Sequence, residues 1–181
     1  MRLRLRLLLL VLSSFWRKPL SLLDESVITF AVLPNDIDVT KVSNDRFIAL
    51  MDLGRMELAF RVGLLTSMFR NKWLPLAAFD TIRFRYPLRA FQRYQLRTRV
   101  VWWDDEFFYF QQIFERKGRA VATGYVRASL LGPDGVVPSN KILDAIGQPA
   151  AKPERPEIVA RLKELDDLIH ETQKEKAEAL P

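Results

Sequence analysis

The sequence predicts an α+β domain in which one antiparallel sheet packs against a single long helix. Three observations lead there. An apolar, β-branched run stands at residues 26–33, helical periodicity begins at Asp45, and several alternating runs separated only by short turns follow. Strands joined by tight turns pair antiparallel, because a parallel pair needs a long crossover between its members.

The first strand, residues 26–33 (SVITFAVL), ends at Pro34, which has no N–H to give to a ladder. The polar stretch PNDIDVTKVSND reads as a loop. Beyond it Phe47, Leu50, Met51, Gly54, Leu58 and Val62 recur near the helical period, and Ile48, Leu53, Met56 and Phe60 make a second stripe. A helix apolar on two sides is expected to be wrapped by other structure, and Asn44 or Asp45 stands where its N-cap belongs. After a loop around RNKWLP, residues 79–86 alternate, with Phe79, Thr81, Arg83 and Arg85 on one face and Ile82, Phe84 and Tyr86 on the other. Residues 94–103 set Leu96, Thr98 and Val100 opposite Arg97, Arg99 and Val101. Asp104, Asp105 and Glu106 form a turn into the strand at 107–115, and Gly118 turns it into the strand at 119–131, which GPDG ends. A short helix over residues 139–146 closes at Gly147.

The ends differ from this middle, so the chain divides into an arm (1–25), the domain (26–147) and a Pro-rich linker with a C-terminal helix (148–181). The arm begins MRLRLRLLLLVLSSFWRKP. Its apolar run, residues 7–12, is far shorter than the ~20 residues of a membrane span. No small-x-small cleavage site follows the run, and arginine alternating with leucine shows no clean amphipathic face. Three readings stay open: an ordered arm, an anchor on a membrane surface with Phe15 and Trp16 at the interface, or a signal segment. At the other end Ile158, Leu162, Leu165 and Ile169 form one stripe, expected to dock on the domain or on a sister subunit.

Composition narrows the chemistry. The 181 residues suffice for one core of ordinary size, with 49% hydrophobic and 28% charged residues. Cysteine is absent, which removes disulfides, thiolate metal sites and cysteine nucleophiles. The one histidine, His170, lies in the polar C-terminal segment, where it reads as a surface residue, so no His-cluster metal site is expected. The formal charge of +6 is uneven. Residues 1–18 carry Arg2, Arg4, Arg6, Arg17 and Lys18 with no acid, and Arg83, Arg85, Arg89, Arg93, Arg97 and Arg99 have no acid among them. Such fields suit an anionic partner. No Gly-rich phosphate loop, zinc pattern or RNP-like aromatic motif points to nucleic acid.

Specific residues add a family likeness. Asp36-Ile37-Asp38 lies between the first strand and the long helix, Asn44 precedes that helix, Phe47 and Met51-Asp52-Leu53-Gly54-Arg55 open it, and the hairpin WWDDEFFYFQQIF and strand GRAVATGYVR follow. In this the chain resembles the hotdog-fold acyl-CoA thioesterases of the 4-hydroxybenzoyl-CoA-thioesterase-like branch. Where relatives carry a Gly-His pair, Thr40-Lys41-Val42-Ser43 stands instead.

The resemblance implies a sheet curled around the central helix, dimers joined edge to edge (with tetramers of two dimers as a variant), and a place in fatty acid metabolism. It implies an acyl-CoA or acyl-carrier thioester as substrate and no bound cofactor or metal. Asp38 matches the family's catalytic aspartate, acting as nucleophile or as base toward water. Asp36 and Asn44 join it as candidates, against readings as a backbone-bonding loop residue and a helix cap. Asp52 and Glu57, on the helix, are the next candidates for the base. The helix N-terminus would polarise the carbonyl. Arg85, Arg89 and Arg93 are the candidates for the phosphates of coenzyme A. Trp73, Trp102, Trp103, Phe107 and Phe108 belong to the core or a subunit seam, or else to an acyl pocket. The expected location is the cytoplasm, with membrane contact through residues 1–18. The competing expectation is a non-catalytic acyl or lipid binder on the same fold.

Overall fold

A computed structural model describes residues 2–14, 16–147 and 151–178. In chain order the elements are α1 (Arg2–Ser14), β1 (Ser26–Ala31), a 3-10 turn (Pro34–Asp36), β2 (Ile37–Asp38), β3 (Lys41–Val42), α2 (Asn44–Arg61), α3 (Leu65–Asn71), β4 (Leu74–Phe84), β5 (Arg93–Trp103), β6 (Phe108–Arg116), β7 (Arg119–Gly132), β8 (Gly135–Val136), α4 (Ser139–Ile146) and α5 (Glu157–Glu178). The large strands form one antiparallel sheet in the order β1-β5-β6-β7-β4, with β8 beside β7. This is the α+β arrangement the alternating runs predict. β2 and β3 make a separate two-stranded ribbon in the loop before α2.

The register explains how α2 sits. Thr98, Gln112 and Gly124 are paired across β5, β6 and β7, one row running over the middle of the sheet. α2 presses Gly54 onto this row. A Cβ built on Gly54 would lie 2.5 Å from Thr98 Oγ1 and 2.8 Å from Gln112 Nε2, and one on Gly124 would lie 2.5 Å from the Met51 methyl. On either side of the row the apolar faces divide into two clusters. Phe47, Leu50, Leu96, Phe114 and Val126 pack under the first half of α2; Leu58, Val62, Met68, Phe108 and Ile142 pack under its second half. The inward residues of β5 are the expected ones, for Leu96, Thr98 and Val100 are buried.

Several expectations are corrected. The arm is helical: α1 buries Leu10 in the first cluster beside α2 and turns Arg6 inward to Asp36. Its exposed side, Leu5, Leu8, Leu9 and Leu12, follows the helical period as well as its buried side does. Leucine on both faces hides amphipathicity from the sequence. Phe15, paired with Trp16 in the anchor reading, lies outside the described residues, while Trp16 is exposed. The N-cap of α2 is Ser43 rather than Asn44 or Asp45. Ser43 hydrogen-bonds the Asp45 carboxylate, which holds that carboxyl below its usual range at the positive end of the helix. β4 starts at Leu74, five residues before the alternation does, because a bulge between Ala77 and Phe79 breaks the period. The preceding loop contains a further helix, α3.

The C-terminal helix packs on the domain beside its stripe. α5 docks through Val159, buried against Phe107 and Tyr109, and through an ion pair of Asp166 with Arg127, whose guanidinium lies 3.9 Å from the Phe107 ring centre. Ile158, Leu165 and Ile169 are exposed. A buried valine and an ion pair hold this helix on the domain, while Leu162 of the stripe is half-buried.

Candidate functional site

Along α2, Asp52, Arg55, Met56, Ala59 and Val62 fall on one face at steps of three or four residues and form one wall of a cavity of about 370 Å³. The sheet supplies Phe108, Phe110 and Leu130 to the opposite wall. Met68 of α3 and Ile142 and Ile146 of α4 line it further. α2 is pressed to the sheet at Gly54, and the cavity lies beside this contact, between the helix face and the sheet. The residues at its inner end, Leu58, Val62, Met68 and Ile142, are buried, whereas Asp52 at the other end is exposed. Its mouth is therefore polar and its interior apolar, the combination usual in small-molecule sites.

Arg55 organises the mouth. Its side chain is 10% exposed, and Nη1 donates to Gln112 Oε1 at 2.8 Å while Nη2 bonds the Asp52 carboxylate. Asp80, on β4, lies 3.7 Å from the same guanidinium. Gln112 is held in turn, its Nε2 donating to the Met51 carbonyl (2.9 Å) and to Thr98 Oγ1 (3.0 Å). A buried amide with its bonding capacity used in this way fixes the guanidinium in one place. Burial pulls the Arg55 pKa down, against the upward pull of Asp52 and Asp80. Burial likewise pushes Asp80 up; Arg55 opposes this, and the like charge of Asp52 adds to it. The cavity lining thus offers an accessible carboxylate, Asp52, and a buried cation, Arg55, with Asp80 beside that cation outside the lining.

The residues singled out from the sequence lie elsewhere. Asp36 is buried at the end of the 3-10 turn, accepting the Leu33 N–H at 2.9 Å and two bonds from Arg6 at 2.6 and 3.2 Å. This is its loop-ordering role. Asp38 on β2 and Asn44 at the start of α2 are exposed, and none of the three lines the cavity. Asn44 precedes Asp52 by two turns, about 12 Å along the axis. Glu57 is sealed, accepting from Ser26 Oγ and from Arg17 Nη1 at 2.8 Å, with Arg61 Nη1 at 3.5 Å, so it ties the arm to α2 and β1. Of the helix candidates, Asp52 alone reaches the cavity.

Arg85, Arg89 and Arg93 are exposed and, among the described residues, make no ion pair. Arg97, by contrast, is neutralised by Glu25 at 2.7 Å and Glu115 at 3.2 Å. Trp73, Trp103, Phe107 and Phe108 are buried, and Phe108 also walls the cavity. His170 is exposed on α5. Among the described residues no cluster of His, Asp or Glu is arranged to hold a metal ion, and no helix is long and apolar enough to cross a membrane. The sequence reading missed Arg55, Asp80 and Gln112 as site residues. One signal was present: glutamine at an inward position of the aromatic strand FFYFQQIF requires a buried partner.

A helix lying on one antiparallel sheet, with a polar-mouthed cavity beside it, can be set against known proteins. Residues 32–135 match the thioesterase-like superfamily. The chain belongs to that superfamily. It is 31% identical over 142 residues to Protein THEM6 of Xenopus laevis, covering 76% of this chain and 67% of the relative. With Protein THEM6 of Drosophila melanogaster it shares 25% over 124 residues, 67% of this chain but 62% of the fly protein's length. Among solved structures, a probable thioesterase from Bartonella henselae superposes with a TM-score of 0.58 at 21% identity, over 64% of this chain and 97% of that one. The gentisyl-coenzyme A thioesterase BH1999 gives 0.58 at 21%, over 68% and 100%. At such identities these superpositions establish the hotdog fold of this superfamily member.

Proposed function

We propose that this chain hydrolyses an acyl thioester of coenzyme A or an acyl carrier, with the acyl group in the cavity and the thioester at its mouth. One observation carries the reading: an apolar cavity opens at a carboxylate and a buried guanidinium, in a fold shared with coenzyme A thioesterases. Asp52 takes a proton from water as the water oxygen attacks the carbonyl carbon, Arg55 offsets the charge developing on the carbonyl oxygen, and the C–S bond breaks to leave acid and thiol. Gln112 positions Arg55. Asp38, favoured by the family likeness, is the alternative base. Arg85, Arg89 and Arg93, exposed without carboxylate partners, suit the phosphates of coenzyme A.

Two features support further parts of the proposal. β4 is 11 residues long, pairs on one side only, and is largely exposed, which suits a homodimer joined edge to edge. α1 turns Leu5, Leu8, Leu9 and Leu12 outward in an arm rich in arginine, which suits contact with an anionic membrane surface. A second reading, a non-catalytic acyl binder, is favoured by Asp36 being fully engaged with Arg6.

Thiol release from acyl-CoA by the full chain, measured beside Asp52→Asn and Asp38→Asn, is the test. Loss of about 10²-fold or more in kcat with Asp52→Asn alone supports the assignment. Loss with Asp38→Asn alone transfers the base to the loop. Binding without release from any thioester selects the non-catalytic reading.

A further inference from the structure

We infer that the site takes an aliphatic acyl chain of medium length without polar substituents, with an optimum near twelve carbons. The inference rests on the proposed binding of an acyl group in the cavity and adds which acyl group that is. The length of the lining sets the measure. The α2 wall runs from Asp52 to Val62, ten residues, or about 15 Å of helix rise. An extended chain advances about 3.5 Å per three bonds, so that length holds about twelve or thirteen bonds.

The lining excludes other acyl classes. Beyond the mouth the walls are aliphatic or aromatic, and the one hydroxyl there, Ser129 Oγ, already donates to the Val137 carbonyl. A dicarboxylic acyl group would bury a carboxylate with no donor to meet it, and a hydroxylated one would find only the Ser129 oxygen to accept from it. Length is limited by buried Met68 and Ile142 at the inner end, and depth is measured by Ala59, two turns inside Asp52. Ala59 and Met68 are thus specificity-determining residues.

The experiment compares acyl-CoAs of four to eighteen carbons, with 12-hydroxydodecanoyl-CoA, by kcat/KM for thiol release from the full chain. Binding of inert thioether analogues of the same lengths is measured by calorimetry. The expected profile peaks near twelve carbons, falls by about fourfold per methylene on the short side, and drops at eighteen. The hydroxylated chain falls at least tenfold below dodecanoyl. Ala59→Phe moves the optimum to about eight carbons or fewer, and Met68→Ala moves it toward about fourteen. Should one variant fail to fold, as read by its melting curve, the other still tests the assignment. A twelve-carbon binding optimum without thiol release supports the inference and removes hydrolysis alone. A flat profile, or an optimum that neither folded variant moves, overturns it.

Discussion

Adding one methyl group to Gly54 would test how tightly α2 is pinned. In an exposed helix, Gly→Ala stabilises by about 1 kcal/mol, because glycine carries the larger entropy cost of ordering. Here the new Cβ would stand 2.5 Å from Thr98 Oγ1, 2.8 Å from Gln112 Nε2 and 2.9 Å from Leu96 Cδ2, all closer than carbon atoms approach other groups. Leu96, Thr98 and Gln112 are buried in the sheet and have nowhere to retreat. Overpacking of this kind costs about 1–3 kcal/mol, and breaking the Thr98–Gln112 bond adds about 1–3 kcal/mol for the polar atoms left unpaired. Subtracting the helix gain leaves a net loss of about 1–5 kcal/mol for Gly54→Ala. Urea unfolding followed by circular dichroism measures it as a lowered midpoint at unchanged slope. Equal or greater stability in the variant would refute the close approach.

Arg6→Ala removes the partner of a buried carboxylate and should cost about 3 kcal/mol in urea unfolding, whereas a loss under about 0.5 kcal/mol would mean that Asp36 is satisfied without it. The pH dependence at Asp80 has a definite sign. Its native pKa is raised above the ordinary 3.8, chiefly by burial, so the folded chain holds the proton more tightly than the unfolded one. Stability from this group is present below 3.8 and is lost as pH rises through the native value. Asp80→Asn should therefore flatten the decline in unfolding free energy between 3.8 and that native value, and an unchanged slope would contradict the shift. The proposed edge pairing predicts twice the chain mass by light scattering, and a monomer at micromolar concentration would count against it.

Much of the fold is readable because its periods are local. The alternation at 94–103 and the turn residues around Gly118 lie within a few residues of what they determine, and the helix over residues 139–146 has the bounds its sequence suggests. The site was less legible, since its parts meet only after folding. Arg55 reaches Gln112 across 57 residues, and Arg6 reaches Asp36 across 30. Asp38 drew attention because a motif surrounds it, whereas Asp80 sits inside an alternating strand with no local mark. A cavity leaves still less trace. Its lining is ordinary apolar sequence, drawn from α2, α3, α4 and the sheet, which meet only in the folded chain.

The ties of the arm also set an order of events during synthesis. Residues 2–14 precede the rest of the domain in the chain, the carboxylates that engage Arg6 and Arg17 come 30 and 40 residues later, and the first cluster around Leu10 also needs β5, β6 and β7, which follow further on. Until Asp36 and Glu57 have been made, Arg6 and Arg17 lack the carboxylates they engage in the finished fold, and the leucines beside them lack their sheet. Whatever binds such a segment meets it before its own domain does, and docking of α1 must then compete with an association already in place. The same contacts that look permanent in the finished fold are, in the order of their making, among the last to form.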